Sequence, residues 1–266
     1  MKQGSRIAIT TPSHKSHQEP QKLHPDIPQL PFFVGIIGPR HRGKTVLLHN
    51  LLDKKQPGLY GDFFKKENIV LYSPTYAVDD TLHDLKLHNV YTVSTDVNWL
   101  VGEIKSQQEQ YREADNMAPV LLVMEDITQI RDAFVALEDL AYTGRHYNIQ
   151  VLYIAHKMSS IFRGIRTQTQ QWILFEPHEQ SEWEYVLEMF SRRKTALIWE
   201  NALKRAWSKP FNFVYIDFER KKFNEIYRSG FHDPLFTKDE ETQLNSIQPD
   251  YILKPSPVHF NNTSSE

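Results

Sequence analysis

Between Phe32 and Leu52 the chain runs FFVGIIGPRHRGKTVLLHNLL. The apolar run Phe32–Ile37 predicts a buried strand, and apolar residues at helical spacing, Val46, Leu47 and Leu51, predict a helix after it. Between them Gly38, Pro39, Arg40, His41, Arg42, Gly43, Lys44 and Thr45 fit G-x-x-x-x-G-K-[ST]. Two glycines free the backbone to turn successive N–H groups inward as an anion-binding nest. The helix that opens near Val46 adds its positive end at the same spot. In such a loop the lysine, here Lys44, reaches the β- and γ-phosphates of a nucleotide, and the hydroxyl of Thr45 ligates Mg²⁺.

Further along, Asn68–Tyr72 and Asn89–Val93 read as strands, and Asp96–Arg112 as an amphipathic helix with Asp96 near its start. Val120–Met124 is wholly apolar and ends in Glu125-Asp126. Ligands of an open parallel sheet sit beyond the carboxyl ends of its strands, so these acids are expected next to the phosphate loop. One acid there holds Mg²⁺ while its neighbour orients and deprotonates the attacking water. Adjacent strand residues point to opposite sides, so one side chain cannot easily serve both purposes. A helix from about Ile130 to Thr143, the triplet Gly144-Arg145-His146 and a strand Ile149–Ala155 follow, ending in His156. His156 is a candidate sensor of the γ-phosphate, and Arg145 a candidate arginine finger for a neighbouring subunit's nucleotide or a cation at a helix C-terminus.

Ile161–Gln171 reads as a polar loop able to track a phosphate backbone. After it come a strand Trp172–Phe175, helices Glu179–Phe190 and about Thr195–Ala206, and edge strands Phe211–Phe218 and Phe223–Tyr227. The sum is an α/β chain of seven or eight strands with a mostly parallel sheet and helices on both faces; with the G-x-x-x-x-G-K-[ST] loop it resembles a P-loop NTPase of the ASCE, RecA-like kind. Domain limits are set at 1–30 for a flexible lead-in, 31–230 for the ATPase domain and 231–266 for a mostly disordered tail, the last on its polar composition.

The 266 residues leave room for one large domain with tails. A net charge of −2 rules out the global basic field of a passive nucleic-acid coat, so any DNA contact must be local. With no cysteine there is neither a disulfide nor a thiolate zinc site. No apolar stretch approaches the roughly 18 residues of a spanning helix, so a soluble, non-secreted protein is expected.

Three features in chain order carry a resemblance: GPRHRGKT, VLLVMED and TGRHYNIQVLYIAH. Together they resemble the poxvirus-type genome-packaging ATPases of the FtsK/HerA superfamily, over about Pro31–Arg228. The resemblance implies a homo-oligomeric ring that uses ATP and Mg²⁺ to push double-stranded DNA into a preformed capsid. It further implies capsid vertex or portal partners and residence in the infected-cell cytoplasm, viral factory or virion. That family places Asp first in its acid pair, whereas here Glu125 precedes Asp126; by position Glu125 takes the Mg²⁺ side and Asp126 the base, with the exchange open. Its sensor is typically Gln, and here it is His156. Arg40 and Arg42 offer an in-cis alternative to Arg145 as the finger. A nucleotide-dependent assembly factor or switch, moving no DNA, is the rival reading.

Overall fold

The computed structural model describes residues 22–78, 80–114 and 117–247. Nine strands form one sheet in the order β3-β2-β4-β5-β1-β6-β7-β8-β9. They are β1 Phe33–Ile37, β2 Ile69–Tyr72, β3 Asn89–Tyr91, β4 Val120–Met124, β5 Ile149–Ala155, β6 Gln171–Phe175, β7 Phe213–Asp217, β8 Tyr227–Ser229 and β9 Asp233–Pro234. From β3 to β6 neighbours run parallel, and β7, β8 and β9 close the far edge antiparallel. The expected mostly parallel sheet is therefore present, one strand larger than the upper count.

Helices cover both faces, as strands buried on both sides require. They are α1 Lys44–Leu52, α2 Tyr60–Phe63, α3 Val97–Glu113, α4 Arg131–Thr143, α5 Arg163–Gln168, α6 Gln180–Phe190, α7 Ala196–Trp207, α8 Phe223–Ile226 and α9 Lys238–Ile247. Alternation along β1 divides the core: Phe33 and Ile37 join the cluster under α3, α4 and α7, while Val34 and Ile36 join the cluster under α1 and α2. In α1 the inward stripe is Lys44, Leu48, Leu51 and Leu52, and Val46 faces out.

Several sequence expectations need correction. Ile161–Gln171 is not simply a loop, because α5 occupies its centre and buries Ile165 and Thr169 one turn apart. Arg166 there is turned inward over the Tyr185 ring. Phe223–Tyr227 is a helical turn before a strand, because one turn buries both Phe223 and Ile226.

Part of the expected lead-in 1–30, from residue 22 on, is packed. Leu23 and Ile27 are buried, His24 N–H donates to Gly58 O at 2.8 Å, and Tyr60 Oη donates to Pro28 O at 3.1 Å. The tail of 231–266 likewise begins with packed structure: Leu235 and Phe236 are buried, Phe236 meets the Trp199 ring at 5.0 Å, and α9 buries Leu244. Thr237 and Glu240 form a capping box, with Thr237 N–H donating to Glu240 Oε2 at 2.7 Å and Glu240 N–H to Thr237 Oγ1 at 3.3 Å. The remainder of both expected tails, 1–21 and 248–266, lies outside the described residues.

Candidate functional site

At the carboxyl end of β1 the chain turns sharply at Gly38, where a Cβ would stand 2.6 Å from Phe175 Cβ. Gly38 N–H still donates to Ala155 O at 3.1 Å, so the loop leaves the sheet already anchored to β5. His41 and Gly43 take left-handed backbone, φ +63° and +94°. Gly43 caps α1 without a side-chain acceptor, so the first N–H groups of the helix point toward whatever the loop encloses.

The strand order fixes what meets that loop. β5 lies between β1 and β4. The acids are thus one strand further from the loop than direct adjacency would place them, and His156, at the tip of β5, stands in the gap. Within one chain Lys44, Thr45, Glu125, Asp126 and His156 converge.

Glu125 is buried, and its two carboxylate oxygens are engaged separately: Thr45 Oγ1 donates to Oε1 at 3.0 Å, and Ser73 Oγ donates to Oε2 at 2.7 Å. Ser73 ends β2, the next strand over, and is fully buried. The sequence reading of Asn68–Tyr72 as a strand stops one residue short of it. Its signal was its place at the tip of the strand beside the acid strand.

Asp126 takes left-handed backbone, φ +49°, and its carboxylate has a different partner from that of Glu125. Its Oδ1 lies 2.7 Å from His156 Nε2. The His156 ring, first by hydrogen bonding and then with the charges of Arg40 and Lys44, holds the Asp126 carboxyl below the usual carboxylate range. On its other side His156 Nδ1 is 3.5 Å from Lys44 Nζ. His156 thus stands between the Lys44 ammonium and the Asp126 carboxylate. The backbone N–H of His156 donates to Thr128 Oγ1 at 3.0 Å, which sets the height of the ring.

Lys44 Nζ donates to Pro39 O at 2.8 Å. Burial lowers its pKa to about 8, against the attraction of Asp126 and Glu125. The arrangement holds a partly desolvated cation across the loop from two carboxylates, a pocket suited to a polyanion with a hard cation. Thr45 and Glu125 fit such a cation as a hydroxyl and a single carboxylate, the sparse oxygen set that Mg²⁺ shares with phosphates. Among the described residues no cluster of three His, Asp or Glu would hold a metal unaided.

The arginines separate. Arg42 is committed to Glu176 at 2.9 Å and to His178 Nδ1 at 3.1 Å. Arg40 is exposed and lines a cavity of about 340 Å³ shared with Thr128 and His156. Arg145 sits in the turn before β5, exposed. β5 spans seven residues, about 20 Å at roughly 3.3 Å per residue, so Arg145 occupies the opposite end of the sheet from the phosphate loop of its own chain.

No curated protein matches the chain. Among solved structures, the genome packaging NTPase B204 from Sulfolobus turreted icosahedral virus 2, in complex with AMP, shares 11% identity at a TM-score of 0.53. That match covers 80% of this chain and 98% of B204. EssC (ATPases 2 and 3) from Geobacillus thermodenitrificans shares 13% identity at 0.49, over 84% of this chain and 45% of that one. The cytoplasmic domain of EssC shares 14% at 0.47 over 58% of this chain, which spans only 34% of that domain. The B204 likeness shows a shared P-loop ATPase fold. The Poxvirus A32 protein model matches residues 23–215, a span that runs from the N-terminal packed segment through the phosphate loop, the acid pair and His156 into β7. This chain therefore belongs to the poxvirus A32 protein family.

Proposed function

We propose that this ATPase packages a genome, coupling ATP hydrolysis to the movement of double-stranded DNA into a preformed capsid. The observation that carries this reading is the convergence of Lys44, Thr45, Glu125, Asp126 and His156 at the tips of three strands, in a member of the A32 family. The likeness in fold to B204, a genome packaging NTPase, is in keeping with it.

Gly38 to Val46 wrap the triphosphate, and Lys44 exchanges its bond to Pro39 O for the β- and γ-phosphate oxygens. Thr45 and Glu125 would hold Mg²⁺, which when bound would supply charge neutralisation for the phosphates. With Glu125 on the metal side beside Thr45, the base is Asp126. It aligns a water on the γ-phosphorus; the P–O bond to ADP breaks and the water's proton passes to the carboxylate. His156, between Lys44 and Asp126, registers whether the γ-phosphate is present. An arginine completes the site by countering charge in the transition state, either Arg145 of an adjacent copy in a ring or Arg40 in cis. Capsid vertex or portal proteins are the partners that would seat the ring, in the viral factory or on the virion. No helix among the described residues is long and apolar enough to cross a membrane.

The test is ATP hydrolysis by the purified chain with and without linear duplex DNA at low salt, since phosphate contacts weaken steeply as salt rises. Stimulation by DNA that disappears in Lys44→Ala supports the motor. Hydrolysis indifferent to DNA overturns it in favour of a nucleotide-dependent assembly factor.

A further inference from the structure

Phe211 departs from the rest of the core-forming aromatics. Among the described residues no other Phe, Tyr or Trp is as exposed, with 70% of its surface open to solvent. Its backbone is left-handed, φ +60°, a conformation that bulky side chains rarely adopt and that persists only where surrounding structure imposes it. The imposing contacts come from Asn212: its N–H donates to Lys209 O at 3.2 Å, and its Nδ2 donates to Ala206 O at 2.7 Å and to Ser229 Oγ at 2.9 Å. An exposed ring is thus held in one place by a pinned turn.

That place is the flank of the phosphate loop. A Cβ added to Gly43 would meet Phe211 Cδ1 at 3.4 Å. The antiparallel direction of β7 brings this turn to the phosphate end of the sheet, since a strand parallel to β6 would begin at the other end. Beside the ring lies a cavity of about 290 Å³, lined also by Arg42, Phe175, Trp207 and Lys209.

We infer that Phe211 is the platform on which the purine base of the bound nucleotide stacks, and that the base is read by its face and not by its edge. The inference rests on the assignment of Gly38–Thr45 to the phosphates. A base tethered to phosphates in that loop needs an apolar face within a few ångströms of it, and Phe211 supplies one. Several polar side chains around the cavity are engaged elsewhere: the terminal nitrogens of Arg42 with Glu176 and His178, Asn212 with Ala206 and Ser229, and Ser208 Oγ with Arg205 O at 2.8 Å, while Lys209 is largely exposed and 4.0 Å from Asp233. A site without committed edge partners discriminates weakly between adenine and guanine.

Calorimetric titration of the full chain tests this with three probes: the non-hydrolysable imido analogues of ATP and GTP, and inorganic tripolyphosphate. The wild type is expected to bind the two purine analogues within about threefold of each other. Phe211→Ala weakens both about tenfold or more, the usual scale of a lost base–aromatic stack, and leaves tripolyphosphate unchanged. Phe211→Asn, which tolerates left-handed backbone, should match Phe211→Ala, and Phe211→Trp should restore binding. Unchanged analogue affinity in Phe211→Ala and Phe211→Asn overturns the platform, as does an equal loss of tripolyphosphate, which would make the ring a shaper of the loop. A strong preference for one purine overturns reading by the face. If the wild type binds neither analogue nor tripolyphosphate, or Lys44→Ala binds all three normally, the phosphate assignment itself fails and the platform with it.

Discussion

Thr45 and Glu125 are 80 residues apart in the chain, yet the hydroxyl of one donates to the carboxylate of the other across 3.0 Å. The contact joins the phosphate loop to the acid strand before any ligand arrives, so the oxygens suited to Mg²⁺ are positioned in advance.

That preorganisation depends on Ser73, which holds the second oxygen of Glu125. Ser73→Ala is expected to raise the Mg²⁺ concentration needed for half-maximal hydrolysis by about tenfold, the lower end of what a lost orienting partner costs a metal site. A Mg²⁺ titration of the ATPase rate checks it, and an unshifted midpoint removes Ser73 from the site.

Lys44 gives ATP affinity a pH dependence whose sign follows from its pKa near 8. A triphosphate favours the charged amine, so binding takes up a proton once Lys44 begins to lose its own. Affinity is full below pH 8 and falls by up to about tenfold per unit above it. Stability runs the other way. Burial disfavours the charged form in the folded state, so that penalty is present below pH 8 and is relieved as pH rises from about 8 toward the unfolded value of 10.5. Dissociation constants measured between pH 7 and 9.5, with Lys44→Ala as the flat control, decide it.

His156 touches both the cation and the base, at 3.5 Å and 2.7 Å. His156→Ala, which removes the link between the two, is expected to slow hydrolysis while nucleotide affinity is kept. An unchanged hydrolysis rate withdraws support from the sensor assignment.

Arg145 lies at the far end of β5 from its own phosphate loop, so any contribution to hydrolysis is made in trans. Mixing Arg145→Ala with Lys44→Ala chains should restore activity that neither has alone. Full activity in Arg145→Ala alone transfers the finger role to Arg40.

Phe236 anchors the segment after β9 in the cluster of Trp199, Phe223 and Tyr227. Phe236→Ala is expected to cost about 3–5 kcal/mol, a drop in melting temperature of roughly 10 °C for a domain of this size. Thr237→Ala, which removes only a cap, should cost about 1 kcal/mol. Thermal unfolding of the two variants separates packing from capping.

The phosphate loop was legible because its chemistry demands glycines at fixed spacing, and the acid strand because five apolar residues end in two acids. The inward face of α1 is not legible from spacing, because apolar residues lie all around it; the structure shows that Leu48 and Leu52 are buried while Val46 is exposed. Within the expected tail 231–266, the polar composition hides two anchors, Leu235 and Phe236, although the Thr237–Glu240 box is visible in the letters. Ser73 and Phe211 had no local signature. One depends on strand order, the other on the reversal of β7, and neither is a property of neighbouring residues.

β5 is buried along its whole length and hydrogen-bonded on both sides, to β1 and to β4. It works as a taut tie-rod with His156 at one tip and the Arg145 turn at the other. Since the rod has no slack, the end of the molecule that meets the nucleotide and the end that carries the exposed arginine share one stiff member, the shortest mechanical route the architecture provides between them.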